Sequence, residues 1–213
     1  MAKGRRGRWI HDHLSDPYVQ KAQQDGYRSR ATYKLLELEE KHHFLRPGKV
    51  VLDLGAAPGG WSQVAAKKVG SKGAVLALDR LAMDPIDGVT ILEVDFETEE
   101  GYAALRAALP EAGADVVLSD MAPNLSGIHA ADQDRAIALA ELALDLAAEV
   151  LAPPGVLVVK LFQGSGFDPW LAQARELFTR VTVRKPKASR PRSREVYAVA
   201  EGLRAGAGEG RRQ

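Results

Sequence analysis

Lys160 stands in V-L-V-V-K-L-F, an otherwise apolar run. A lysine held between Val159 and Leu161 should be partly desolvated, and desolvation disfavours an ammonium. Such an amine can act as a base toward a substrate hydroxyl, or, when protonated, stabilise charge developing on its oxygen. The competing reading is an edge-strand lysine that reaches solvent. Asp120 ends A-D-V-V-L-S-D and precedes the turn Met121-Ala122-Pro123-Asn124, where it could steer that lysine. Asp79 and Asp95 close two more apolar runs, G-A-V-L-A-L-D and G-V-T-I-L-E-V-D. An acid about twenty residues beyond a glycine turn usually accepts from ribose hydroxyls, which suits Asp79. Asp95, followed by Phe96, suits an adenine amino group. Each of these acids, taken alone, could equally be a solvated strand end.

The glycine turn lies in V-V-L-D-L-G-A-A-P-G-G-W-S-Q, residues 50–63. Residues 50–54 read as a buried parallel strand. Gly55, Gly59 and Gly60 follow, and a helical pattern resumes near Trp61. Glycine lets a backbone approach a ligand closely, and a helix start offers free N–H groups. The spacing is not G-x-G-x-x-G, which argues against a dinucleotide site and a nicotinamide oxidoreductase. Asp53 would crowd a pyrophosphate; it suits a ligand end without phosphate, such as the amino-acid end of S-adenosylmethionine. Trp61 either packs, the commoner fate of the residue, or faces the ligand.

The elements that must position these groups alternate. Helix-like segments span 17–24 and 30–43, the second with Ser29 as its N-cap and with Lys34 one turn inside. Strands are expected over 50–54, 73–79, 88–95, 114–120 and 156–162. Helices are expected over 102–109, 132–151 and 169–178, with Pro153-Pro154-Gly155 stopping the second. Two β-rich runs, 181–183 and 196–200, are joined by a basic, Pro-containing loop. The pattern predicts an α/β fold: a mostly parallel seven-stranded sheet, helices on both faces, and an antiparallel hairpin at one edge. In such a sheet ligands bind beyond the carboxyl ends of the strands, where Asp53, Asp79, Asp95, Asp120 and Lys160 fall.

With 213 residues, 46% of them apolar, the chain suits one domain with a full core. We expect a flexible basic arm over residues 1–14, one domain over 15–201 and a disordered tail over 202–213. No run of about eighteen apolar residues predicts a membrane span, and the basic N-terminus lacks the apolar stretch of a secretory signal. The absence of cysteine excludes thiolate metal sites and disulfides. Net charge is only +1, but it is unevenly spread. Lys3, Arg5, Arg6 and Arg8 crowd the start, and seven basic residues lie between Arg180 and Arg194 with no acid before Glu195. Brought to one face, these segments would suit a phosphate backbone; otherwise they are solvated charge.

Taken together, the chain resembles the FtsJ/RrmJ family of ribosomal RNA large subunit methyltransferases. The resemblance is carried by L-S-D-P-Y-V-Q-K-A-Q (14–23), R-S-R-A-T-Y-K-L (28–35), D-L-G-A-A-P-G-G-W-S-Q (53–63), M-D-P-I (83–86), S-D-M-A-P-N (119–124), V-V-K-L-F-Q-G (158–164) and S-R-E-V-Y (193–197). It implies a Rossmann-like S-adenosylmethionine-dependent methyltransferase fold. It implies a catalytic Lys-Asp-Lys-Glu tetrad at Lys34, Asp120, Lys160 and Glu195, and cofactor contacts at Gly59, Trp61, Asp79, Asp95 and Asp120. It further implies transfer of a methyl group from S-adenosylmethionine to a ribose 2′-hydroxyl, giving S-adenosylhomocysteine, with no metal. The implied substrate is a uridine in the A-loop of 23S rRNA, or else tRNA or another RNA. The implied setting is the cytoplasm, with no membrane and no obligate protein partner, the protein acting as a monomer in ribosome biogenesis. Phosphate contacts are expected from the arm at residues 3–8, from Arg28 and Arg30, and from the loop over 185–194. Departures are small: Pro154 stands where the family commonly has Gly, and the tail has no clear counterpart.

Overall fold

The computed structural model describes residues 16–123, 126–127 and 129–207. The expected basic arm, the last six residues and Asn124 lie outside them. The described chain forms α1 (Pro17–Gln24), α2 (Thr32–His42), β1 (Val50–Leu54), α3 (Gly60–Val69), β2 (Ala74–Asp79), β3 (Val89–Glu93), α4 (Glu99–Ala108), β4 (Ala114–Ser119), α5 (His129–Val150), β5 (Leu151–Phe162), α6 (Phe167–Leu177), β6 (Phe178–Arg184) and β7 (Glu195–Leu203). One sheet holds all seven strands in the order β3-β2-β1-β4-β5-β7-β6. Neighbours from β3 through β5 pair in parallel, and β7 runs antiparallel to both β5 and β6. This is the expected mostly parallel sheet with a reversed edge. Because β2 and β4 flank β1, the strand order reverses there, and a crevice opens at the carboxyl ends.

Successive strand residues face opposite layers. Leu52, Leu76 and Val117 pack under α4, α5 and α6 with Leu105, Leu144 and Trp170. Val51, Val75 and Val116 pack under α2 and α3 with Leu35, Leu38, Trp61 and Val64. The same alternation sends Asp53, Lys160 and Tyr197 toward the α2–α3 layer, which brings the charged groups together.

Some boundaries differ from the sequence reading. Ser29 does not cap α2; the cap position is Ala31, without a side-chain bond, and the Ser29 carbonyl accepts from Thr32 N–H instead. A Cβ on Gly60 would meet Ser29 Oγ at 2.5 Å and Thr32 Oγ1 at 2.6 Å, so these hydroxyls abut the start of α3. The strand β5 begins at Leu151, before the Pro-Pro-Gly stretch, with a register shift opposite 114–116. Proline is tolerated where the ladder is irregular. At the C-terminal side β7 continues to Leu203, and the Arg204 guanidinium donates to the carbonyls of Glu176 and Phe178.

Candidate active site

The α2 helix buries Tyr33, Lys34, Leu35 and Leu38, with Tyr33 against Ala22 and Ala188 and Leu35 and Leu38 in the core beneath α3. Lys34 precedes Leu38 by one turn, so its stem packs inward while its amine reaches the sheet edge. Its Nζ lies 2.8 Å from Glu195 Oε1 and donates to the Tyr197 hydroxyl at 3.1 Å. Tyr197 in turn donates to Asp120 Oδ1. Lys160 Nζ lies 2.7 Å from that same Oδ1 and donates to the Asp120 carbonyl, also at 2.7 Å. Pairing of Lys160 with Tyr197 and of Phe162 with Glu195 across β5–β7 sets the register that makes this possible. The chain thus runs Glu195, Lys34, Tyr197, Asp120, Lys160 without a break, and its two amines and two carboxylates sum to zero charge. Both lysines are nine-tenths buried, at 8% and 9% exposure.

Burial pushes the Glu195 carboxyl up, but the Lys34 ammonium, the Ser189 hydroxyl and the more distant Lys160 outweigh it and hold the group below the ordinary carboxylate range. Burial first, then the Asp120 and Glu195 charges, raise the Tyr197 phenol well above its usual value. Tyr197 therefore remains a donor toward Asp120. An ammonium has three donors. Lys160 directs two at Asp120, and among the described residues no other group takes the third.

Asp120 also belongs to a second feature. A cleft of about 830 Å³ opens at the ends of β1 to β4. Its acids are Asp79, Asp95, Glu97 and Asp120, and its apolar walls include Leu81, Val94, Phe96, Met121 and Leu142. Main-chain amides fix the acids: Asp79 accepts from Ala57 N–H at 2.9 Å and Leu81 N–H at 2.9 Å, and Asp95 accepts from Glu97 N–H at 3.1 Å. Arg80 and Arg135 are the cations in the walls, and Arg80 lies 3.5 Å from Asp95. A carboxylate-rich cleft repels phosphate and suits a ligand that offers hydroxyls, amines and positive charge.

Three residues considered for cofactor contact are not among those that line this cleft. Asp53 is buried behind the glycine turn, not on the cleft wall, and accepts from Ser62 Oγ at 2.6 Å. Burial pushes its carboxyl up to about 7, with Asp120 and Asp79 adding to the rise and Ser62 opposing it. Trp61 is 3% exposed; its indole N–H donates to the Ala31 carbonyl at 2.8 Å and its ring leans on Tyr197. Gly59 has φ +105° and sits under Ile86 and Arg28, outside the cleft walls.

Three of the cations expected to meet phosphate also bond within the protein. Arg28 donates to the carbonyls of Pro58, Asp84 and Pro85. Arg30 pairs with Asp16 and donates to the Ala188 carbonyl. Lys185 donates to the carbonyls of Pro191 and Ser193. These three cations are fastened to the protein. Tyr197 is the member of the cluster that residue reading missed. Its signal was its place two residues after Glu195, which puts both on one face of a strand.

The chain belongs to the FtsJ-like methyltransferase family, which residues 27–203 match. It is 56% identical over 197 residues to ribosomal RNA large subunit methyltransferase E of Marinobacter nauticus, covering 92% of this chain and 95% of that one. The protein of the same description from Alcanivorax borkumensis is 54% identical, covering 96% of this chain and all of that one. A Plasmodium falciparum structure, described as a ribosomal RNA methyltransferase, superposes with a TM-score of 0.74 at 29% identity, covering 83% of this chain and 98% of that one.

Proposed function

We propose that the protein methylates the ribose 2′-hydroxyl of a uridine in the A-loop of large-subunit rRNA, using S-adenosylmethionine, in the cytoplasm. The observation that carries this reading is the double membership of Asp120. It lines the cleft, and it also anchors Lys160 through both its carboxylate and its carbonyl. A methyl donor in the cleft and an acceptor at Lys160 would thus share one wall.

The cleft's donor set fits the cofactor. Asp79 would accept from ribose hydroxyls and Asp95 from the adenine amine, between Val94, Phe96 and Leu142. Gly59 caps α3 with its own N–H held by the Ala56 carbonyl, so at this turn the amino-acid end would be served by the open N–H groups of the helix start around Trp61. When bound, S-adenosylmethionine supplies a methyl group on a sulfonium.

The chain's own part falls to the cluster. A ribose hydroxyl is a poor nucleophile until its proton leaves or its developing charge is met. Lys160 directs two N–H groups at Asp120, which leaves its third position toward the substrate. As a lone pair, that position accepts the 2′-hydroxyl proton while the oxygen takes the methyl group, so the proton ends on Lys160 and the ammonium formed stays on Asp120. Asp120 orients the amine, and Tyr197 holds Asp120. Lys34 and Glu195 neutralise each other while Lys34 supports the Tyr197 hydroxyl. In this reading Lys34, Asp120 and Glu195 position, and Lys160 touches the reacting oxygen. Similarity to proteins described as large-subunit rRNA methyltransferases supports the choice of RNA.

The test is mass mapping of ribose methylation in large subunits that lack the mark, incubated with the protein and labelled S-adenosylmethionine. A single methylated uridine in the A-loop is expected. Label appearing in bulk tRNA but not in the subunit overturns the substrate.

A further inference from the structure

A second hollow, of about 420 Å³, adjoins the acid-lined cleft and shares Pro123 with it. Its walls include Phe162 and Gln163 from the end of β5, Ala136 from α5, and Arg192 and Arg194 from the β6–β7 connection. Phe162 lies two residues beyond Lys160, so both side chains leave the same face of the strand. Arg192 and Arg194 are exposed, and no described carboxylate pairs with either. Asp132 is the acid of these walls, and its carboxylate accepts from the Ser126 N–H and hydroxyl, each at 2.7 Å, and from Gly127 N–H at 3.1 Å. The hollow therefore joins a half-buried aromatic ring and apolar walls to two unpaired guanidiniums.

That combination is what a single-stranded nucleic acid needs: a π-face for a base and cations for phosphate. We propose that the hollow holds the acceptor nucleotide of the RNA, its base against Phe162 and its flanking phosphates on Arg192 and Arg194. This rests on the reading that a ribose hydroxyl is the acceptor. A base lies one glycosidic bond from its ribose, so a ribose at Lys160 leaves its base beside Phe162.

The experiment measures binding of 5′-fluorescein-labelled hexauridylate by fluorescence anisotropy, in the full chain, across a salt series. In parallel, methyl incorporation into large subunits lacking the mark is followed. R192Q/R194Q should weaken oligonucleotide binding at least ~10-fold and reduce the slope of log K against log salt by about 1.4, since each single-strand phosphate contact contributes about 0.7. F162L, which keeps the bulk and removes the ring, should weaken binding about 5-fold or more with the slope unchanged. Thermal melting of each variant checks its fold, and the arginine pair, being exposed, leaves the core intact. Wild-type affinity and slope in the arginine variant, wild-type affinity in F162L, or no hexauridylate binding by the wild-type protein each overturn the proposal. Binding as expected with no methyl entering subunits sinks the proposed substrate and supports the hollow. Methyl incorporation undiminished in the variants overturns the hollow and leaves the substrate standing.

Discussion

At the ends of β2 and β3, carboxylates are held by main-chain amides: Asp79 by Ala57 and Leu81, Asp95 by Glu97. At the ends of β4, β5 and β7, charged groups are held by one another: Lys160 by Asp120, Lys34 by Glu195, with Tyr197 between. Backbone-held acids stay put when one side chain changes, because their neighbours are fixed by the sheet. Charges that hold each other do not, because removing one leaves its partner buried and unpaired. In the proposed function the first region grips the cofactor and the second keeps an amine aimed.

The comparison can be broken most sharply at Lys160. Lys160→Ala should lower methyl transfer by about 10³-fold, as expected for loss of a positioned general base. Cofactor affinity by calorimetry should change less than ~3-fold, well within the effect of a single ordinary hydrogen bond. Near-wild-type turnover would remove Lys160 from the reaction. The reverse split belongs to Asp79. Asp79→Ala should weaken S-adenosylmethionine about 30-fold, the loss of one charge-assisted hydrogen bond of about 2 kcal/mol. RNA affinity should be unmoved.

A stability measurement separates the regions next. Lys34→Ala leaves Glu195 buried without its ammonium and should cost about 2–3 kcal/mol in denaturant unfolding. Removing Glu195 as well should recover part of that loss. A fully additive double variant would mean that the pair is not coupled.

The smallest effect is one of pH. Asp53 sits with a folded-state value of about 7, above its unfolded value, so it binds a proton in the native state that the unfolded chain has released. Its contribution is present at low pH and lost as pH rises through about 7. Relative to Asp53→Asn, the wild type should lose about 1 kcal/mol between pH 6 and pH 8. Glu195 runs the other way. Its folded-state value is depressed, so its contribution is present above the unfolded carboxylate range and lost as pH falls through the folded value. Thermal melts of Asp53→Asn and Glu195→Gln, each referred to wild type across pH, should show opposite slopes, and parallel curves would contradict this assignment.

What could be read from the residues follows the same division. Alternation of apolar runs and helices was enough for the sheet, and strand-end position was enough to mark Asp79, Asp95 and Lys160, because both are local properties of the chain. Lys34 and Glu195 came only with the family resemblance. Their meeting depends on a helix ahead of β1 packing beside the last strand, a contact that joins residues 34 and 195. Tyr197 was not marked at all, since one tyrosine in a β-run reads as core. What the cations hold inside the protein was hidden for a related reason. Charge shows in a sequence, but turn carbonyls that need a donor do not, and those at Pro58, Asp84 and Pro85 take Arg28. Proline also misled the placement of β5, whose first residues tolerate it beside an irregular ladder.

The segment ahead of β1 is more than a lead-in. It delivers the Lys34 amine, seats the Trp61 indole on the Ala31 carbonyl, and clasps the loop at Asp84 and Pro85 to the glycine turn through Arg28. A fragment trimmed to begin at Val50 would retain every strand and yet forfeit both the donor-side clasp and half of the amine pair. On the proposed function, a minimal version has to keep the stretch from Arg28 through α2, and a graft of the bare sheet is expected to be inert.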